Sequence, residues 1–137
     1  MELGLKMKYK TSINILIGLL IAVILFHLSV IVKVIPYDIA WGGRLESDSE
    51  MYVLETISIF INLFLGLVLL VKGNYMKSRF YRTIDIILWV CLALFALNTI
   101  GNIFAKTLFE KSFAVLTLVF AILILKILKT KNNINTN

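Results

Sequence analysis

The stretch TSINILIGLLIAVILFHLSVIV, residues 11 to 32, contains no Asp, Glu, Lys or Arg. At a rise of about 1.5 Å per residue it is long enough to cross a hydrocarbon core of about 30 Å as a single helix. Working outward, three further apolar runs have comparable character. Residues 51 to 72 carry Glu55 as the only formal charge before Lys72, residues 84 to 105 carry Asp85 in their first turn, and residues 112 to 128 are interrupted only by Lys126. A lysine near a helix end can snorkel its ammonium to the interface, so Lys126 does not forbid a span. The expectation is an all-α, integral membrane four-helix bundle, with helices over about 11–34, 51–72, 84–105 and 112–128, filling residues 1–137 as a single domain.

Composition agrees. Of 137 residues, 60% are hydrophobic and 16% charged, and mean hydropathy is +0.94. A soluble domain carries about 25% charged residues to cover its surface, so a water-soluble globule is excluded, as is a disordered chain. The lone Cys91 excludes a disulfide scaffold within the chain. The apolar part of the first run exceeds the h-region of a secretory signal and no small-x-small site follows it, so it reads as a retained anchor.

The charges assign an orientation. Lys6, Lys8 and Lys10 precede the first span, Lys72, Lys77, Arg79 and Arg82 occupy the connection between spans two and three, and Lys126, Lys129 and Lys131 close the chain. On the other side Lys33, Arg44, Lys106 and Lys111 are mixed with Asp38, Glu46, Asp48, Glu50 and Glu110. The positive-inside rule then puts both termini in the cytoplasm, and the net charge of +6 is a record of topology. With no basic face on a folded soluble surface, no nucleic-acid partner is expected. Eleven Lys against three Arg, with abundant Ile and Asn, fit an AT-rich bacterial genome, hence a bacterial cytoplasmic membrane.

Polar residues inside the spans are the candidates for a site, because hydrocarbon cannot satisfy them. On the second span Glu55, Ser58, Asn62 and Gly66 fall on one stripe at about 100° per residue. On the third, Cys91, Asn98, Gly101, Asn102 and Ala105 share an arc, with Asn98 and Asn102 one turn apart. Given the expected topology, His27, Glu55, Asn98, Asn102 and Thr117 lie in one layer, in the outer leaflet. The connection IPYDIAWGGRLESDSE, residues 35 to 50, adds Asp38, Trp41 and Arg44. Pro36 sets the exit from the first span and Gly42-Gly43 permits a tight turn. This segment reads either as a hairpin anchored at the interface by Tyr37 and Trp41, or as a lid over the polar layer with Asp38 or Arg44 meeting a ligand. The candidate ligand or proton site is therefore Glu55, His27, Asn98, Asn102, Asn62, Asp38, Trp41 and Arg44. Asn14, Gly18, Ala22 and Ser29 form a small-residue face on the first span, with Gly18 opposite His27, and offer a homodimer contact.

Chemistry is weakly signalled. There is no G-x-S-x-G elbow and no P-loop, one His and one Cys cannot build a zinc or haem centre, and the acidic run lacks a calcium-loop pattern. No metal and no cofactor are expected. The first reading is an accessory or structural bundle in the bilayer whose outer-leaflet polar cluster fixes helix packing. The alternatives are a small-molecule or proton-coupled transporter or ligand-binding bundle using Glu55, and an intramembrane lipid isomerase-type enzyme using Glu55 with His27.

Overall fold

The computed structural model describes residues 2–77 and 79–135; the side chains of Lys6 and Lys131, both counted in the charge pattern above, lie outside the described part. Four long helices, α1 (Glu2–Ile31), α3 (Asp48–Lys72), α4 (Tyr81–Ile103) and α5 (Leu108–Asn135), are joined by short connections, with a one-turn helix α2 (Tyr37–Ala40) between the first two. No strand occurs among the described residues. Each long helix is long and apolar enough to cross a membrane, over Met7–Ile31, Asp48–Lys72, Tyr81–Ile103 and Leu108–Thr130. Only 11% of the most apolar window of α4 is buried by the rest of the chain, and Ile86, Val90, Leu94, Leu97, Ile100 and Ile103 point outward. An apolar exterior of this extent is stable only against hydrocarbon. The chain has the build of a multi-pass membrane protein.

The helix ends correct the expected boundaries, each through a local device. α1 stops at Ile31 rather than 34. Lys33 adopts φ 60°, its N–H bonds the Val30 carbonyl at 2.9 Å, and the Val34 N–H reaches back to the Ser29 carbonyl at 2.9 Å. These two bonds make a Schellman stop with lysine where glycine is usual. Asn74, also at φ 60°, ends α3 in the same way, with the Tyr75 N–H on the Leu70 carbonyl at 2.9 Å. α3 starts at Asp48 rather than 51 because the Ser47 hydroxyl caps it, accepting from the Glu50 N–H at 3.3 Å. α5 starts at Leu108 rather than 112: the Thr107 hydroxyl accepts from the Glu110 N–H at 3.2 Å while the Glu110 carboxylate accepts from Thr107, a reciprocal capping box. α4 runs Tyr81–Ile103 where 84–105 was expected.

Packing is uneven around the bundle. α4 lies against α5 along most of its length, α1 contacts both α3 and α5, and α3 touches α4 least of the long-helix neighbours. The dry core fills one half only. It comprises Ile13, Leu16 and Leu20 of α1, Leu65, Val68 and Leu69 of α3, Ile84 and Leu88 of α4, and Phe120, Ile124, Ile127 and Leu128 of α5. In an antiparallel bundle these positions all fall at the end that holds the α3–α4 connection. There Lys72, almost fully buried, pairs with Asp85 across the α3–α4 seam, and the Tyr9 hydroxyl donates to the Lys72 carbonyl at 2.8 Å. The Tyr75 hydroxyl donates to Asn14 at 2.6 Å, tying the same connection to α1. At the opposite end Lys33 pairs with Asp48, and that hydrogen bond holds the Lys33 ammonium above its ordinary pKa.

Candidate functional site

Above the dry core the helices part around a cavity of about 770 Å³. Among the residues that line it is Glu55, which has no exposed surface. One carboxylate oxygen, Oε2, lies 2.5 Å from His27 Nδ1, and the other, Oε1, accepts from the Trp41 indole N–H at 2.7 Å. Three separate stretches of chain therefore converge on one acid: α1 through His27, the α1–α3 connection through Trp41, and α3 itself. The periodicity of α3 puts Ser58, Asn62 and Leu65 on the same wall. The Asn62 amide is turned back to its own helix, donating to the Ser58 carbonyl at 2.7 Å.

The connection folds over the cavity mouth. α2 packs towards α5, and Gly42 and Gly43 then take φ 59° and 72°, a reversal open to glycine. A Cβ on Gly42 would collide with the Glu110 carboxylate, so the backbone passes directly against this second acid. Glu110 is itself nearly buried, held by Thr107 Oγ1 at 3.0 Å and by the Arg44 guanidinium. The hairpin is thus latched twice, by Trp41 on Glu55 and by Arg44 on Glu110. Trp41 is turned inward and bonded and does not serve only as an interfacial ring.

The remaining walls are aromatic on one side and amide-bearing on the other. Phe26, Phe109 and Phe113 form a cluster with centroids 5.3 to 6.2 Å apart, and Phe26 meets the His27 ring edge-on at 5.7 Å. Phe95 stacks on Phe120 at 4.8 Å, closing the floor. Asn98, Gly101 and Asn102 line the α4 wall, and Lys106 lies at the rim. Thr99 donates to Thr117 at 2.9 Å, whose own hydroxyl reaches the Phe113 carbonyl at 2.9 Å, fastening α4 to α5 behind the cavity.

The structure brings His27, Trp41, Arg44, Glu55, Asn62, Asn98 and Asn102 around this one cavity. It leaves Asp38 out. That residue is exposed on α2, because the single helical turn after Pro36 points its side chain away from the bundle. Glu110, Phe26 and Phe113 are the participants that the spacing of polar residues misses. Glu110 had one signal, the T-x-x-E pattern Thr107-Leu-Phe-Glu110, which places a carboxylate at a helix start. Comparison with protein families, with curated proteins and with solved structures finds no match to this chain.

Proposed function

We propose that the protein is a membrane-embedded binding bundle for a small molecule, with the His27–Glu55 pair as its polar anchor. The observation that carries this is a fully buried carboxylate, bridged by an imidazole and an indole, on the wall of a cavity of about 770 Å³. Cavities of roughly 300–1,000 Å³ with apolar walls and a few converging polar groups are the usual form of a small-molecule site. Transport finds less support, because Leu20, Leu65, Leu88 and Phe120 pack into a hydrophobic core across the other half of the bundle. The acid–base reading has His27 and Glu55 in contact but no second polar pair aimed at a common reacting atom.

A purely structural role, as in an accessory bundle, is favoured by one observation. Among the described residues no buried side-chain polar atom lacks a hydrogen-bond partner, so the cluster is complete as a clasp. Thermal unfolding in one detergent separates the two. With monobutyrin, a small neutral ester, as probe, we expect the wild-type melting temperature to rise with probe concentration, by the amount that about 2.7 kcal/mol gives at a hundred times Kd. The same probe should leave His27→Leu unmoved. A wild type indifferent to the probe, with Glu55→Gln simply less stable at pH 5 and pH 8 alike, would leave only the clasp.

In this reading the lysine-rich end, with Lys8, Lys10, Lys72, Lys77, Arg79 and Arg82, faces the bacterial cytoplasm together with both termini, and the cavity lies in the outer leaflet. A homodimer through Asn14, Gly18, Ala22 and Ser29 is supported by the open space in front of Gly18, although Asn14 already holds Tyr75.

A further inference from the structure

The cavity is closed on three sides. The hairpin is latched across its mouth by Trp41 and Arg44, the core residues Leu20, Leu65 and Leu88 lie beneath it, and Phe26 and Phe113 back it from α1 and α5. The fourth side is the seam between α3 and α4, which Lys72 and Asp85 pin at the far end. Residues that line the cavity here are also on the outer surface: Phe64 is 52% exposed and Leu94 54%. Both lie inside helices apolar enough to span a membrane, so this side opens into hydrocarbon. Gly101 sits at the same opening, lining the cavity with no atom within reach of a Cβ.

The head chemistry follows from proton counting. A net charge on the His27–Glu55 pair would be costly at membrane depth, so the stable pair is neutral overall. A neutral pair holds two protons, one between Nδ1 and Oε2 and one on Nε2, whichever partner owns the first. His27 lines the cavity, and no protein partner for Nε2 is found among the described residues. Nε2 therefore offers an N–H to an acceptor in the cavity, which Asn98 and Asn102 also line. Arg44 and Glu110 neutralise each other and Lys106 is exposed at the rim, so the latched interior favours an uncharged head.

Resting on the binding reading above, we infer that the ligand is a neutral, carbonyl-headed, single-tailed lipid that enters sideways from the bilayer between α3 and α4. Its carbonyl accepts from His27 Nε2 and its tail leaves through the seam past Phe64, Leu94 and Gly101.

The test uses the full chain in phosphatidylcholine vesicles with Trp89→Phe, which leaves Trp41 as the sole tryptophan and sited on the cavity wall. The probe is a long-chain monoacylglycerol brominated beside its ester, delivered from a second set of vesicles by stopped flow. Trp41 quenching reports binding by amplitude and access by rate. We expect Gly101→Phe, which fills the seam, to slow quenching at least tenfold. His27→Asn, which can still donate to Glu55 but has no Nε2, should weaken binding at least tenfold. His27→Leu, which also removes Nε2, serves as a second variant with the same expectation should His27→Asn not fold. Equal quenching in both head variants and the parent would mean contact with bulk lipid only and would overturn the proposal. An unchanged rate in Gly101→Phe, with a tenfold faster one in Arg44→Ala, would put the entrance at the hairpin and refute lateral access while leaving the binding site standing. Tighter capture of the matching fatty acid by tenfold would transfer recognition to Lys106 and defeat the neutral head. No quenching of the parent, with monobutyrin still raising its melting temperature, would refute the lipid alone; no response to either would take the binding reading with it.

Discussion

Glu55 is the residue on which the proposed site turns, and its position stood out in the sequence because an acid inside an apolar run must find a partner or a cavity. The helical stripe that joins it to Ser58 and Asn62, and the pairing of Asn98 with Asn102, followed from 100° periodicity alone. The inward turn of Trp41 did not. An aromatic ring near a span end reads as an interfacial anchor, and only the left-handed reversal at Gly42-Gly43 decides that it points back into the bundle. Those two glycines make different predictions. At Gly42 alanine meets both a positive φ and the Glu110 carboxylate, so Gly42→Ala should cost about 1–3 kcal/mol and release the Arg44 latch. At Gly43 nothing lies within reach of a Cβ, and Gly43→Ala should cost only the backbone share, about 1 kcal/mol. Denaturation of the two variants side by side checks the difference; equal losses would mean that Glu110 simply moves aside.

At the scale of elements, the four apolar runs gave the helices, but the ends were set by hydrogen bonds that hydropathy does not weigh. Ser47 and Thr107 each start a helix three or four residues before its apolar stretch begins, and Lys33 and Asn74 end theirs in a conformation more often assigned to glycine. The relation between α3 and α4 was also invisible, because Lys72 and Asp85 looked like separate boundary charges. In the fold they are one cross-seam pair with the lysine buried. Removing one partner of a buried pair costs more than the pair itself contributes. Asp85→Asn should therefore destabilise the protein by about 3 kcal/mol, the lower end for a broken buried pair because Asp85 keeps some exposure. The double variant Lys72→Met, Asp85→Leu should recover most of that loss, as measured by thermal unfolding in a fixed detergent. A double variant as unstable as the single one would show that the pair does more than satisfy charge.

For the whole molecule, hydropathy fixed the class and the number of spans, while the division into a packed half and a hollow half had no counterpart in the pattern. The polar layer of His27, Glu55, Asn98 and Asn102 was legible in the sequence; the hollow beside it comes from where Gly, Asn and aromatic residues set the spacing between helices. That division has a mechanical consequence. Two helices fastened at one end and free at the other form a lever whose opening is resisted only by the surrounding lipid. The lateral pressure of a single leaflet then becomes an input to the protein. Raising that pressure at chain depth, by replacing part of the phosphatidylcholine with cone-shaped phosphatidylethanolamine, should narrow the seam. A spin-label pair placed on the exposed sites Ile61 and Leu97 should then report a shorter distance, whereas the same pair at Val71 and Tyr81, beside the pinned end, should report none. Equal changes at both pairs would describe a bundle that tilts as a rigid body. A seam that answers only at its free end would make bilayer composition, with no partner protein, a regulator of the cavity.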